Sequence, residues 1–240
     1  MDHSTASPSS SSFKEAEPDG VTPSGTSRIS SPLEESGLAS EVPPRPKRLA
    51  ILLSGRGSNM VALVNAIREG ILKGLAEIAV VFSNKPNAPG LATAAKLGCP
   101  VASLASQSRP RAEYDAEVAK LLHLYQPDYV VLAGYLRILS PVFIRAFAGR
   151  ILNIHPADTR QHQGLHAYEW AFKNQLLETK ITVHLVDEGL DTGPILAQQT
   201  VDLRGADTLP EVERRGLLVE HQLYASTLAG LLRKELKIEN

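Results

Sequence analysis

Cysteine is almost absent: Cys99 is the only one in 240 residues. That excludes an intramolecular disulfide and any cysteine cluster for a structural metal. Long hydrophobic runs are missing as well. No apolar stretch approaches the roughly 18–20 residues that a membrane span needs. The N-terminus, Met-Asp-His-Ser-Thr, lacks the apolar segment of a secretory signal, so the expectation is a cytoplasmic protein with no membrane partner. Charge of one sign is not in excess either. Lys and Arg number 25 against 26 Asp and Glu, a net charge of −1, which removes the broad basic surface of non-specific nucleic-acid binding. What is present is a hydrophobic fraction of 43%, ordinary for a globular chain. The length suits one domain with a full core, or one domain plus a tail.

Charge is unevenly distributed. Residues 1–46 carry three Lys or Arg against seven Asp or Glu, with twelve Ser and seven Pro. A segment so poor in periodic apolar residues buries too little surface to offset its ordering entropy. It reads as a disordered tail, or as sequence upstream of the true start. The expected domain is 47–240. It carries 22 basic against 19 acidic residues, a mildly positive body compatible with small anionic substrates.

From Arg48 onward the pattern changes. Leu49–Leu53 is a short apolar run closed by Ser54-Gly55, which is how a buried parallel strand reads. Helical spacing follows over Asn59–Glu69, with Met60, Leu63, Val64 and Ile67 on one face. Further strands are expected at Ile78–Phe82, near Pro100–Leu104, and at Tyr129–Ala133, Ile151–Ile154, Ile181–Val186 and Ile195–Val201. Helices are expected after Pro89 and at Ala112–Tyr125, Pro141–Phe147 and about Leu209–Leu232. Alternating strands and helices with short connections predict an α/β fold: an open, mostly parallel, Rossmann-like sheet with helices on both faces.

Three constellations carry chemistry. Ser54-Gly55-Arg56-Gly57-Ser58-Asn59 joins a strand to a helix. Its glycines let backbone approach a ligand, and the helix start offers free N–H groups and a positive dipole end to a phosphate. A tight turn that binds nothing fits the same residues. Asn153 and His155 lie two apart on an extended segment, so both side chains share a face. A carboxamide can donate to an oxyanion and an imidazole can move a proton. A strand end with a satisfied surface His is the alternative. The acid- and glycine-rich run Asp187–Pro194 either builds a turn or brings an Asp to His155, raising its pKa.

Taken in order, these segments resemble the folate-dependent formyltransferases, in particular the phosphoribosylglycinamide formyltransferase type. The similarity runs through Ser-Gly-x-Gly-Ser-Asn, Phe82-Ser83-Asn84-Lys85, Val131–Pro141, Asn153-Ile154-His155-Pro156, Gly164-Leu165-His166, Val183-His184, Leu190–Pro194 and Glu220-His221. It covers about Arg48 to Leu232. The resemblance implies catalysis by Asn153, His155 and Asp191. It implies that Gly57, Ser58 and Asn59 hold a substrate phosphate and Glu220 its ribose. It further implies that Leu136, Arg137, Ile138 and Leu139, with Asn153 and Asp187, hold 10-formyltetrahydrofolate as co-substrate, with no metal. The implied partners are small molecules, phosphoribosylglycinamide and the formyl-folate. A monomer or homodimer is expected.

Two departures stand out. Where the family commonly continues Ser-Leu-Leu-Pro after the His-Pro pair, this chain has Ala157-Asp158-Thr159-Arg160-Gln161-His162-Gln163. Arg160 and His162 read either as contacts to an anionic substrate or as solvated loop residues. Thr179-Lys180-Ile181 stands where the family usually has Gly, which predicts a shifted strand end. His166 and His184 are open between the site and structural hydrogen bonding. Arg137 is open between folate and a neighbouring acid. Tyr168 and Trp170 read as packing. Methionyl-tRNA formyltransferase would need an added C-terminal domain and formyltetrahydrofolate hydrolase a preceding folded one, so both are disfavoured. A non-catalytic binder has no need of the trio.

Overall fold

A computed structural model describes residues 45–106 and 109–238. The expectation of a tail over 1–46 falls, but for its last two residues, outside the described residues. Arg45, which composition assigns to that tail, forms a forked pair with Asp128 at 2.7 and 2.8 Å.

The elements are β1 (Lys47–Leu53), α1 (Ser58–Arg68), β2 (Ala76–Ser83), α2 (Pro89–Lys96), β3 (Val101–Ser103), α3 (Arg111–His123) and β4 (Tyr129–Leu132). They continue with α4 (Pro141–Ala146), β5 (Ile151–His155), α5 (Ala167–Lys173), β6 (Glu178–Leu185), β7 (Ile195–Asp202) and α6 (Leu209–Ile238). The strands form one seven-stranded sheet in the order β3-β2-β1-β4-β5-β6-β7. All pairs from β3 to β5 are parallel; β6 pairs antiparallel with both β5 and β7. This is the expected open, mostly parallel α/β sheet.

The two-residue period of β1 explains the layers. Leu49, Ile51 and Leu53 point into one core, with Met60 and Leu63 of α1 and Tyr224, Leu228 and Leu232 of α6. Ala50 and Leu52 point into the other, with Tyr114 and Leu122 of α3 and Phe143 of α4. Helices therefore cover both faces. Burying each Leu or Ile is worth about 1.5–3 kcal/mol, so a strand buried on both sides anchors the sheet.

The differences from expectation lie late in the chain. The helix α5 was not anticipated, because Tyr168 and Trp170 signal packing without marking the element's ends. The strand β6 begins at Glu178, earlier than expected, and α6 runs past Leu232 to Ile238. No described helix is long and apolar enough to cross a membrane.

Candidate active site

A cavity of about 440 Å³ opens at the C-terminal ends of β4 and β5, bounded by α1, α6 and the loop after β6. Chain order reverses about β1 here, since β2 lies on one side and β4 on the other. Such a switch point is where open α/β sheets leave a crevice for ligands. The Tyr224 hydroxyl of α6 sits 3.1 and 3.0 Å from the Leu132 and Leu152 carbonyls and clamps the two strands beneath the cavity.

Asn153, His155 and Asp191 meet on the cavity wall. Asn153 Nδ2 donates to Asp191 Oδ1 at 3.2 Å and lies 3.2 Å from His184 Nε2. The opposite amide orientation would set its oxygen against a carboxylate, so this one is favoured. The His184 Nδ1–H donates to the Leu185 carbonyl at 2.9 Å, leaving Nε2 to face Asn153 and, at 3.4 Å, Asp191 Oδ1. Of its two sequence readings, His184 takes the one at the site. Asp191 Oδ2 accepts the Gly164 N–H at 2.8 Å and stands 3.5 Å from His155 Nδ1. That last separation is longer than a well-formed hydrogen bond. On its other side, His155 Nε2–H donates to the His162 carbonyl at 3.0 Å. An imidazolium would have an acceptor for each N–H.

Asp191 acts on the His155 pKa in the expected upward direction, but burial outweighs it. Burial of the ring is the largest influence and carries the imidazole below its ordinary value. The Asp191 carboxylate and the His162 carbonyl pull the other way without prevailing. Burial also acts upward on Asp191, but the His184 contact, the Gly164 N–H and His155 together hold its carboxyl low.

The expected phosphate loop is shaped by Gly57, whose φ of 80° starts α1 in the left-handed region. A Cβ there would also lie 3.1 Å from the Gly90 Cα and 3.2 Å from Leu53, so both backbone and space require glycine. Gly57 and Ser58 are not among the residues lining the cavity; Asn59 and Glu220 are. The Asn59 side chain is committed to Glu220, Nδ2 donating to Oε2 at 2.5 Å, and the Tyr168 hydroxyl donates to Oε1. The carboxamide thus serves the acid, and a phosphate would meet the backbone of the α1 start. Burial lifts the Glu220 carboxyl above its usual range, against the pull of these two donors. Gly216, inside α6, makes room for the arrangement: a Cβ there would collide with the Tyr168 ring. By sequence Tyr168 signals only packing; the one sign of this contact is a mid-helix glycine, which costs about 1 kcal/mol against Ala.

Leu136, Arg137, Ile138 and Leu139 all line the cavity. Leu136 and Ile138 are more than half exposed, as are few large apolar side chains, and Leu165 and Leu190 stand exposed at the same cavity. The buried Ser54, which the sequence pattern marks as part of the loop after β1, holds this segment. Its hydroxyl donates to Asn84 Oδ1 at 2.6 Å and accepts the Leu136 N–H at 2.9 Å. Arg137 pairs with no acid among the described residues; its guanidinium lies 4.4 Å from the Tyr114 ring centroid. Asp187 lines the cavity while Oδ1 accepts from Gly189 N and Thr192 Oγ1 at 3.0 and 2.7 Å, which shapes the loop. His166 also lines the cavity and pairs with Glu169 at 2.9 Å. Arg160 and His162 follow neither reading alone: Arg160 pairs with Asp158, and His162 stacks on Trp170. No group of three His, Cys, Asp or Glu side chains suited to a metal ion occurs among the described residues.

Comparison with known proteins finds relatives over most of the chain. The formyl transferase family model matches residues 47–228. The phosphoribosylglycinamide formyltransferase of Escherichia coli is 37% identical over 191 residues, covering 79% of this chain and 89% of that protein. The trifunctional purine biosynthetic protein adenosine-3 of Drosophila pseudoobscura is 40% identical over 186 residues, 77% of this chain, which spans only 14% of that relative's length. The crystal structure of phosphoribosylglycinamide formyltransferase from Bacillus halodurans superposes with a TM-score of 0.74 at 40% identity, covering 79% of this chain and 97% of that one. With the family model matching most of the chain and a relative 37% identical over 79% of it, the chain belongs to the formyl transferase family.

Proposed function

We propose that the chain transfers the formyl group of 10-formyltetrahydrofolate to the amine of phosphoribosylglycinamide, the formylation step of de novo purine biosynthesis. The observation that carries this reading is the convergence of Asn153, His155 and Asp191 on one cavity. One side of that cavity is apolar, and the Asn59–Glu220 pair stands at another. The chemistry is assigned to residues 47–240 and none of it to 1–46.

In this reading the substrate amine adds to the formyl carbon, the carbon–nitrogen bond to the folate breaks, and the amine proton passes to the departing nitrogen. Asn153 exchanges its long contact with Asp191 for a charge-assisted bond to the developing oxyanion. His155, flanked by Asp191, places positive charge beside that oxygen and relays the proton. Gly57, Ser58 and the Asn59 backbone meet the phosphate, and Glu220 accepts from ribose hydroxyls. Leu136, Arg137, Ile138 and Leu139, with Asp187, hold the pterin by backbone groups and apolar contact.

The test is a steady-state assay of formyl transfer between these two substrates with the full chain. Turnover is expected; folate binding without turnover would make the chain a binder and overturn the proposal. The Glu220 assignment has its own test. Tyr168→Phe removes a hydrogen bond to a buried carboxylate, worth about 1.5–3 kcal/mol, and leaves the acid more readily protonated. The KM for phosphoribosylglycinamide is expected to rise about tenfold or more on that basis, with the KM for the formyl-folate unchanged. Equal rises in both constants would point to a general distortion instead.

A further inference from the structure

The segment after Pro156, where the sequence leaves the family pattern, holds a charged cluster that the proposed chemistry does not use. Asp158 is only 4% exposed. Its Oδ1 accepts from Arg160 Nε at 3.0 Å, from the Arg160 N–H at 3.1 Å and from Gln198 Nε2 at 3.4 Å. Its Oδ2 accepts from an Arg160 terminal nitrogen and from Lys180 Nζ, both at 2.9 Å. The Arg160 guanidinium, helped by Lys180, holds this carboxyl well below the usual carboxylate range despite burial. The Asp158 carbonyl meanwhile accepts the Gln161 and His162 N–H groups at 2.8 and 3.0 Å.

One residue thus brackets both ends of the turn 158–162 and ties it to two strands, to β6 through Lys180 and to β7 through Gln198. A second tie runs alongside, from Gln198 to the Thr182 hydroxyl at 2.9 Å and from that hydroxyl to the Ala157 carbonyl at 2.7 Å. The turn ends with the His162 ring stacked on Trp170, centroids 4.8 Å apart, and its carbonyl accepting from His155 Nε2. An aliphatic side chain at position 158 would pack here but would bracket nothing.

We propose that Asp158 is a positioning residue for formyl transfer: by fixing the turn 158–162 against β6 and β7 it holds the His162 carbonyl on His155 Nε2, which sets the ring hydrogen there and turns Nδ1 toward Asp191. The inference rests on the reading of His155 as the group beside the formyl carbon. It concerns a contact that carries no substrate and that activity alone would not reveal.

Lys180→Met offers the cleanest test. It leaves the Asp158–Arg160 pair to shape the turn and removes the Lys180 tie to β6, while the Thr182 hydroxyl stays on the Ala157 carbonyl. In the full chain with ¹⁵N-labelled histidine, the His155 signals are assigned by their loss in His155→Asn. The wild type is expected to show hydrogen on Nε2, and both Lys180→Met and Asp158→Asn to show a mixture of the two ring tautomers. Turnover should fall by about ten- to a hundredfold, the order expected when a reacting group is misplaced by an ångström or less, with both KM values little changed. The groups facing His155 are Asp191, His162 and His184. The His162 carbonyl supports the charged ring, so its loss should move the His155 limb of the turnover–pH profile toward acid. Lys180→Arg should restore both readouts. Wild-type imidazole signals in the two loosened variants, or an Arg variant no better than the Met variant, would overturn the proposal. Because the imidazole spectrum needs no turnover, a chain that fails to transfer formyl groups would sink the proposed function and still leave this positioning tested.

Discussion

Replacing Asp191 with Asn is expected to lower turnover by about 10²- to 10⁴-fold, the range for a disabled general acid–base, while folate binding stays largely in place. The substitution suits the backbone. Asp191 has a φ of 52°, and Asn is among the few residues other than Gly that tolerate that region. The Asn side-chain oxygen can still take the Gly164 N–H that Oδ2 now accepts. What is lost is the charge beside His155. The new amide N–H groups would also face Asn153 Nδ2, donor against donor, where a carboxylate oxygen now accepts. The imidazole already sits below its ordinary pKa because it is buried, and Asp191 is the main influence opposing that. Without it the ring titrates at still lower pH, so any residual activity that needs the charged imidazole should shift toward acid. Steady-state rates across pH, with folate titrations on the same variant, check both halves. Turnover near the wild-type rate would sink the His155–Asp191 partnership.

The fold was legible because its signals are local. Runs such as Leu49–Leu53 and Tyr129–Ala133 are too short for helices and too uniformly apolar for surface strands, so they read as buried parallel strands without knowledge of their partners. The order of the trio, two residues on one strand and a third in a later loop, was legible as a motif. Its mutual distances were not, since Asn153 and Asp191 are 38 residues apart and meet only because β6 turns back antiparallel on β5.

What escaped the sequence depends on tertiary geometry. Ser54 reads as a turn residue, yet it joins the ends of three strands by two hydrogen bonds. Tyr168 and Gly216 are unremarkable apart; only the crossing of α5 and α6 shows why one needs the other. Asp158 could be flagged as a departure from pattern, but its meaning required Lys180 and Gln198 from two other strands. The burial that carries the His155 pKa downward is not legible either, because pairing can be read from a sequence and burial of a polar group cannot.

Asn153→Ala should cost about 10²- to 10³-fold in turnover, as removal of an oxyanion donor does elsewhere, with little change in either KM. Asn153 is half-buried on the cavity wall in the middle of β5, between the buried Leu152 and Ile154, so truncating it removes little packing. Its loss takes away the N–H that lies between Asp191 Oδ1 and His184 Nε2, two acceptors 3.4 Å apart that water can then reach from the cavity, while the carboxylate keeps Gly164 and His155 on its other oxygen. The framework around the missing donor therefore survives, and the melting temperature should move by only a few degrees, the shift about 1 kcal/mol produces in a domain of this size. This separates the variant from Asp191→Asn. Losing the carboxamide leaves the charge beside His155 intact, so the pH profile should keep its wild-type shape while the rate falls at every pH. A drop of less than about tenfold, small against the donor's expected share, would mean that the oxyanion is held by another group, with His155 then the nearest candidate.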